Sequence, residues 1–364
     1  MSDGLRLLLV TDAVGGVWVY SLELARALKP LGIETVLAVM GPSPNARQRE
    51  EAAGIKLIDT GLSLDWLETS PGDLRRAGEA LANLARIEGA DLVQTNSAAL
   101  LADVTFDQPC VVVQHSCVAS WWVAVKGTPP PHSFVWRRDL VECGLNRAAT
   151  VVAPSIAFAA ETARIYDVSS PVVAVHNGRR PPLAPAHARG DFVFTASRLW
   201  DEGKNVATLD AAAARLDAPF EAAGPQYGPN GAHVELNHLR ALGEISWARL
   251  ATLYAARPVF ASAAVYEPFG LSVLEAACAG CALVLSDIPT HRELWDEAAL
   301  FVDPTDADGF ASALNGLLDD RSLRNRWGQS ARSHARRFTP ERMARGMMEI
   351  YAHVSEPQLI AGAA

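Results

Sequence analysis

Short apolar runs alternate with helix-compatible stretches along almost the whole chain, and this alternation restricts the fold more than any other feature. In the first half the expected strands are Leu5–Val10, Glu34–Val39, Ile55–Ile58, Asp91–Gln94, Cys110–Gln114 and Thr150–Ala153. In the second they are Val172–Val175, Phe192–Ala196, Pro219–Ala223, Pro258–Ala261, Ala282–Leu285 and Ala299–Val302. Runs this short and apolar suit strands buried on both faces, and their alternation with helices gives an α/β fold of parallel sheets covered on either side. At 364 residues the chain exceeds a comfortable single core, and with 49% hydrophobic residues it can fill two. The strongest break is His176-Asn177-Gly178-Arg179-Arg180-Pro181-Pro182, continuing to Pro185, a stretch rich in turn formers. The expected domains are therefore 1–182 and 183–338. After Phe338 the run Pro340–Val354 reads as a helix, with Thr339 as N-cap and Pro340 at its first position, followed by a frayed tail from Ile360 to Ala364.

Composition removes several function classes. The formal charge of −9 opposes broad nucleic-acid binding and simple attraction to anionic lipid, so membrane contact is expected to be peripheral at most. Arg137-Arg138 is a local basic pair, but Asp139 and Glu142 follow it. No apolar run approaches the roughly 18 residues of a spanning helix, and Leu5–Val10 is too short for a signal-peptide core, so a cytoplasmic protein is expected. Five cysteines without secretory context fit reduced thiols. Cys278 and Cys281 have C-x-x-C spacing but fall at a helix end with no second ligand pair, which suits small buried side chains better than metal or redox work.

Four segments carry chemistry. Leu5–Val10 and the turn Thr11-Asp12-Ala13-Val14-Gly15-Gly16, before a helix expected over Val19–Leu28, read as a Rossmann-like start. The turn lacks the full G-x-G-x-x-G fingerprint, and Glu34 opens a strand where a ribose-binding acid would end one, so a dinucleotide is not expected. Gly15 and Gly16 still let a ligand phosphate or sugar approach the backbone. Ser197-Arg198-Leu199-Trp200-Asp201-Glu202-Gly203-Lys204-Asn205 lies between a strand and a helix expected over Val206–Leu216. Arg198 and Lys204 there add fixed cations to backbone N–H groups, a combination that suits a diphosphate. His115 ends the strand Cys110–Gln114 and, past the carboxyl end of a parallel strand, can offer a neutral hydrogen bond to a sugar hydroxyl. In the fourth segment, Glu267-Pro-Phe-Gly-Leu-Ser-Val-Leu-Glu275, two carboxylates stand eight residues apart. That offset on a helix is about 12 Å, too far for both to bind one atom. Pro268 and Gly270 put Glu267 on a loop and Glu275 inside a helix starting near Leu271, so the two acceptors suit the two ends of an elongated ligand.

This segment, with Tyr266 before it and Ala276-Ala277-Cys278-Ala279-Gly280 after it, resembles the paired-glutamate signature of retaining glycosyltransferases with the GT-B fold, family 4 (glycosyl transferases group 1). The resemblance implies two facing Rossmann-like domains, with the last helix crossing back to the N-domain. It implies that Glu267 meets the donor sugar, that Glu275 meets the nucleotide ribose, and that Phe269, Gly270 and Leu271 also line the donor. It places Arg198 and Lys204 on the diphosphate, the Gly15-Gly16 loop against the donor phosphate and the acceptor, and His115 on the donor sugar. The family pattern is Arg-Leu-x-x-x-Lys-Gly; here Lys204 stands one residue further from Arg198, and Asn205 replaces the glycine.

The activity implied is transfer of a hexose from a nucleotide diphosphate sugar to an acceptor hydroxyl by a front-face mechanism with retention. The acceptor could be a saccharide, a lipid-linked sugar or a small molecule. No cofactor is expected. Asp306-Ala307-Asp308 has the D-x-D form of metal-dependent glycosyltransferases of the other major fold. It lies on a turn before a helix, where aspartates act as caps, and the cations Arg198 and Lys204 make a metal unnecessary. Trp121-Trp122, read as part of an aromatic and proline-rich loop running to Pro131, suits sugar stacking at an acceptor site, membrane contact or plain packing. Two other functions share the fold: a nucleotide-sugar epimerase, which would yield a 2-epimer without acceptor, and a sensor that binds the donor without turning it over.

Overall fold

The computed structural model describes residues 4–64, 70–180, 190–228 and 231–361, with side chains of the last segment up to 355. The expected division at 182/183, the stretch 181–185 and the tail 362–364 lie outside the described residues. The chain forms two compact units: residues 1–123, 128–178 and 340–364 make one, and 124–127 with 179–339 the other.

Strands of the first unit are β1 (Arg6–Asp12), β2 (Glu34–Met40), β3 (Lys56–Asp59), β4 (Leu92–Thr95), β5 (Cys110–Val113), β6 (Thr150–Ala153) and β7 (Val172–Ala174). They form one parallel sheet in the order β3-β2-β1-β4-β5-β6-β7. Val172–Val175, counted among the strands of the second half yet inside the expected domain 1–182, pairs as β7 with β6 in this first sheet. The period of a strand reveals its existence, whereas its partner depends on long-range pairing. The helices are α1 (Gly15–Leu28), α2 (Ala46–Glu51), α3 (Pro71–Ile87), α4 (Val118–Lys126), α5 (Val135–Arg147) and α6 (Ile156–Ile165).

Two sequence expectations need correction here. α1 begins at Gly15 and not near Val19. Gly15 takes φ +64 with nothing near its missing side chain, so the chain turns and enters the helix at once. Trp121 and Trp122 lie on α4 and not in a loop; the breakers come only after Lys126, beginning with Gly127 at φ +66.

The second unit has β8 (Val193–Ala196), β9 (Phe220–Ala223), β10 (Arg240–Gly243), β11 (Val259–Ser262), β12 (Ala282–Ser286) and β13 (Leu300–Val302). Its sheet is also parallel, in the order β10-β9-β8-β11-β12-β13. The edge strand β10 was not expected, since Arg-Ala-Leu-Gly carries too little apolar character to read as a strand. Helices α7 (Val206–Ala213), α8 (Trp247–Ala255), α9 (Leu271–Ala279), α10 (Pro289–Trp295), α11 (Ala307–Asp319) and α12 (Arg321–Ala335) follow in chain order.

In both sheets the order from one edge is third, second, first, fourth, fifth, sixth strand, so that the chain reverses direction across the sheet beside its first strand. Ligands of such sheets bind past the carboxyl ends of the strands at this switch point. β1 and β4 flank it in the first unit, β8 and β11 in the second; three of the four segments singled out in the sequence follow β1, β8 and β11, and His115 follows β5.

The last helix, α13 (Pro340–Ala361), returns to the first unit. Met343, Met347, Tyr351 and Val354 recur at helical spacing and are buried with Leu7, Leu9 and Trp18 in one core. Full burial of such side chains stabilises by about 1.5–3 kcal/mol each, so this stripe anchors the helix. The Tyr351 hydroxyl donates to Gln94 Oε1, and Gln94 Nε2 donates in turn to the Tyr20 hydroxyl at 3.2 Å, which satisfies the polar groups inside that core.

Candidate active site

The loop after β8 is built around Asp201. Its carboxylate accepts from Gly203 N–H at 2.9 Å and from Arg198 at 2.7 Å, which shapes the turn and fixes the arginine stem. Arg198 keeps 53% of its side chain exposed, with its guanidinium near the Trp200 ring. Asn205 stands at φ +49, which explains why the family pattern has glycine there. Asparagine tolerates the left-handed conformation, and its side chain is held by the carbonyls of Ala263 and Pro304 at 3.1 and 2.7 Å.

The carbonyl of Gly203 accepts from the N–H groups of both Val265 and Tyr266, at 3.0 and 3.1 Å. This ties the cationic turn to the loop that carries Glu267. Lys204 Nζ then donates to Glu267 Oε2 at 2.7 Å, with the two side chains 15% and 13% exposed. Burial pushes the Glu267 carboxyl up, but the charge and hydrogen bond of Lys204, helped by His291 and Arg198, hold it below its ordinary value. It is therefore a carboxylate at neutral pH.

Glu267 lies on the loop and Glu275 inside α9, as the breakers imply. Gly270 is the N-cap of α9, at a φ of +88 that few other residues adopt, and no side chain caps the helix. Its first N–H groups are the ones a helix leaves without intrahelical partners, and those of Leu271 and its neighbours suit an anion. The Phe269 side chain is buried against Phe338, ring centroids 5.7 Å apart, so that residue offers its backbone rather than its ring.

Two neighbours of the glutamates gave no sequence signal. Glu275 Oε1 accepts from Arg179 Nε at 2.7 Å, although Arg179 looked like part of a linker. His291 is fully buried near Glu267, its Nδ1 3.1 Å from both the hydroxyl and the carbonyl of Ser286. Its Nε2 is buried without a hydrogen-bond partner. Burial keeps its pKa below the ordinary value, though Glu267 pulls the other way.

In the first unit Asp12 Oδ1 accepts from Val14 N–H at 2.7 Å and shapes the turn before Gly15 and Gly16. These glycines open α1, so their N–H groups belong to a helix N-terminus just past β1. His115 follows β5; its ring packs edge-on against Tyr20 at 4.4 Å, and its Nε2 lies 3.1 Å from Asn96 Oδ1. Asn96 Nδ2 donates to the Val10 carbonyl at 3.1 Å, so its Oδ1 is the acceptor toward the histidine. The proton then sits on His115 Nε2, and Nδ1 is the hydrogen-bond acceptor. Burial lowers the histidine pKa to about 3, so it is neutral at physiological pH.

Asp306 caps α11 by accepting from Gly309 N–H at 2.8 Å, and Asp308 pairs with Arg215 at 2.5 Å. Among the described residues no three His, Cys, Asp or Glu side chains group as metal ligands, and no helix is long and apolar enough to cross a membrane. Trp121 and Trp122 stack edge-on with each other, and Trp122 packs on Phe134, both pairs at 5.8 Å.

The structure thus joins Lys204 to Glu267, sets Arg198 on the same turn, and carries Gly15, Gly16 and His115 in the other unit. The Glycosyltransferase Family 4 pattern matches residues 14–181, and that of glycosyl transferases group 1 matches residues 232–334. The chain belongs to the family 4 glycosyltransferases.

Relatives of this family 4 chain include a phosphatidyl-myo-inositol mannosyltransferase of Mycolicibacterium smegmatis, 31% identical over 186 residues, covering 48% of each chain. The O-antigen chain mannosyltransferase B of Escherichia coli is 33% identical over 103 residues, 28% of this chain and 27% of that one. These matches span about half or less of the curated relatives' length. Among solved structures, the sucrose-phosphate synthase of Thermosynechococcus elongatus has a TM-score of 0.78 at 20% identity, covering 98% of this chain and all of that one. Anabaena HepE in complex with UDP-glucose has a TM-score of 0.76 at 17% identity, covering 96% of this chain and 99% of the other. These likenesses establish the GT-B fold for the family 4 chain.

Proposed function

We propose that the protein transfers a hexose from a nucleoside diphosphate sugar to an acceptor hydroxyl, with retention of anomeric configuration and without a metal ion. The observation that carries this reading is the Lys204–Glu267 pair, held beside Arg198 at the switch point of the second sheet. A diphosphate leaving group needs cations and a sugar needs a hydrogen-bond acceptor, and the pair supplies one of each. The UDP-glucose complex of HepE and the mannosyltransferase relatives agree with a hexose donor.

In this mechanism the bond between the anomeric carbon and the diphosphate oxygen breaks, and the acceptor oxygen bonds to that carbon on the same face. The acceptor proton passes to a leaving-group oxygen. Arg198, Lys204 and the N–H groups opening α9 stabilise the charge growing on the diphosphate, the largest single protein contribution. Glu267 orients the sugar and stabilises positive charge on the ring, while Glu275 holds the ribose. His115 is neutral and binds a sugar hydroxyl through Nδ1. Gly15 and Gly16 admit the donor phosphate and the acceptor close to the backbone.

A panel of UDP-, GDP- and ADP-hexoses, screened for binding and for nucleotide release with and without acceptor extracts, tests the reading. Release that requires acceptor supports transfer. A 2-epimer formed without acceptor would mean an epimerase, and binding without turnover a sensor. In the active pair, Arg198→Ala should lower turnover about 10²-fold, since one preorganised charge-stabilising donor is lost. Activity should also survive exhaustive chelation. Complete loss restored by Mg²⁺ or Mn²⁺ would contradict the capping roles of Asp306 and Asp308.

A further inference from the structure

Arg179 opens the long segment of the second unit, and three separate stretches of chain converge on it. Its backbone N–H donates to the Phe338 carbonyl at 3.2 Å, which fixes where its side chain starts. Its Nε donates to Glu275 Oε1 at 2.7 Å, and the two side chains are only 12% and 6% exposed. Its guanidinium lies 4.5 Å from the centroid of Trp247, the first residue of α8. Ser246 caps that helix by accepting from Arg249 N–H at 3.2 Å, which fixes the backbone turn that carries Trp247.

We propose that Arg179 is a positioning residue of the donor site, holding the Glu275 carboxylate in one orientation for the ribose, with Trp247 bracing the guanidinium. The proposal rests on the donor reading above. A carboxylate this buried would take up a proton without a paired cation, and a protonated carboxyl is a weaker acceptor for hydroxyl groups. An arginine does what a lysine does not. A planar guanidinium can offer an edge to a carboxylate and a face to an aromatic ring at the same time, which a lysine ammonium cannot. The division of tasks follows the geometry: Lys204 serves the carboxylate at the sugar end, and Arg179 serves the carboxylate at the ribose end.

Calorimetry with UDP and GDP, each beside its 2′,3′-dideoxy form, separates positioning from plain charge neutralisation. The wild-type protein should prefer the ribose form of its diphosphate by about tenfold or more, the scale of a charged hydrogen bond. In Arg179→Met, which keeps an apolar stem against Trp247, that preference should fall below about twofold while affinity for the dideoxy form stays nearly unchanged. Arg179→Met/Glu275→Gln should lose no more than Arg179→Met alone, because the two side chains act as one unit. Full ribose preference in Arg179→Met, or an equal loss for both forms, overturns the proposal. Should Arg179→Met fail to fold, Arg179→Lys keeps the buried charges balanced and is expected to show an intermediate preference; an undiminished one overturns the proposal. Wild-type protein that binds neither diphosphate, or binds without ribose preference, would instead sink the donor reading itself.

Discussion

Methionine in place of Lys204 is expected to lower turnover about 10²–10³-fold, the cost of losing one preorganised donor at the developing charge. The same substitution leaves Glu267 buried without its cation, and removing one partner of a buried pair costs about 3–5 kcal/mol of stability. Unfolding must therefore be measured beside kinetics. Lys204→Met/Glu267→Gln removes both charges and should recover most of the stability and none of the turnover. Recovery of turnover in that double variant would mean that Lys204 serves only to neutralise its partner. The pH dependence of stability gives an independent reading. Lys204 and its neighbours depress the wild-type Glu267 pKa, so the carboxylate contributes stability that is present above the unfolded carboxyl value and lost as pH falls through the depressed one. In Lys204→Met burial dominates and the folded pKa rises, so the contribution is instead present below the unfolded carboxyl value and lost as pH climbs from there through the raised folded one. Thermal unfolding across acidic and neutral pH distinguishes the two signs.

The two glutamates should separate cleanly by ligand. If Glu275 holds the ribose, Glu275→Gln weakens binding of the free nucleoside diphosphate as well as the intact donor by about 1.5–3 kcal/mol, the value of a hydrogen bond to a charged acceptor. If Glu267, paired with Lys204, meets the sugar, Glu267→Gln should leave nucleoside diphosphate affinity nearly unchanged. Its kcat should fall on the order of 10²-fold, since its contribution belongs to the sugar and the transition state. Calorimetry with the free diphosphate and steady-state kinetics measure both. Equal losses of nucleotide affinity would show that the division of labour is wrong.

The element grammar is legible in the local sequence, because burial on both faces writes a central strand as a continuous apolar run such as Cys110–Val113 or Ala282–Leu285. The sequence also placed Glu267 on a loop and Glu275 on a helix, since Pro268 and Gly270 act on the backbone locally. Local rules were weaker where neighbours decide. β10 carries little apolar signal and exists because it pairs with β9, α4 runs to Lys126 because the prolines beyond it act only on their own neighbours, and β7 joins the first sheet through a pairing that no local pattern records. The charge partners lay furthest from view. Lys204 and Glu267 are 63 positions apart, and Arg179 and Glu275 are 96. Each chain segment states only which charges it carries. A buried carboxylate acquires its cation when strands and helices distant in sequence pack together, so the identity of each partner, and with it the ionisation of the site, is decided by the tertiary structure alone.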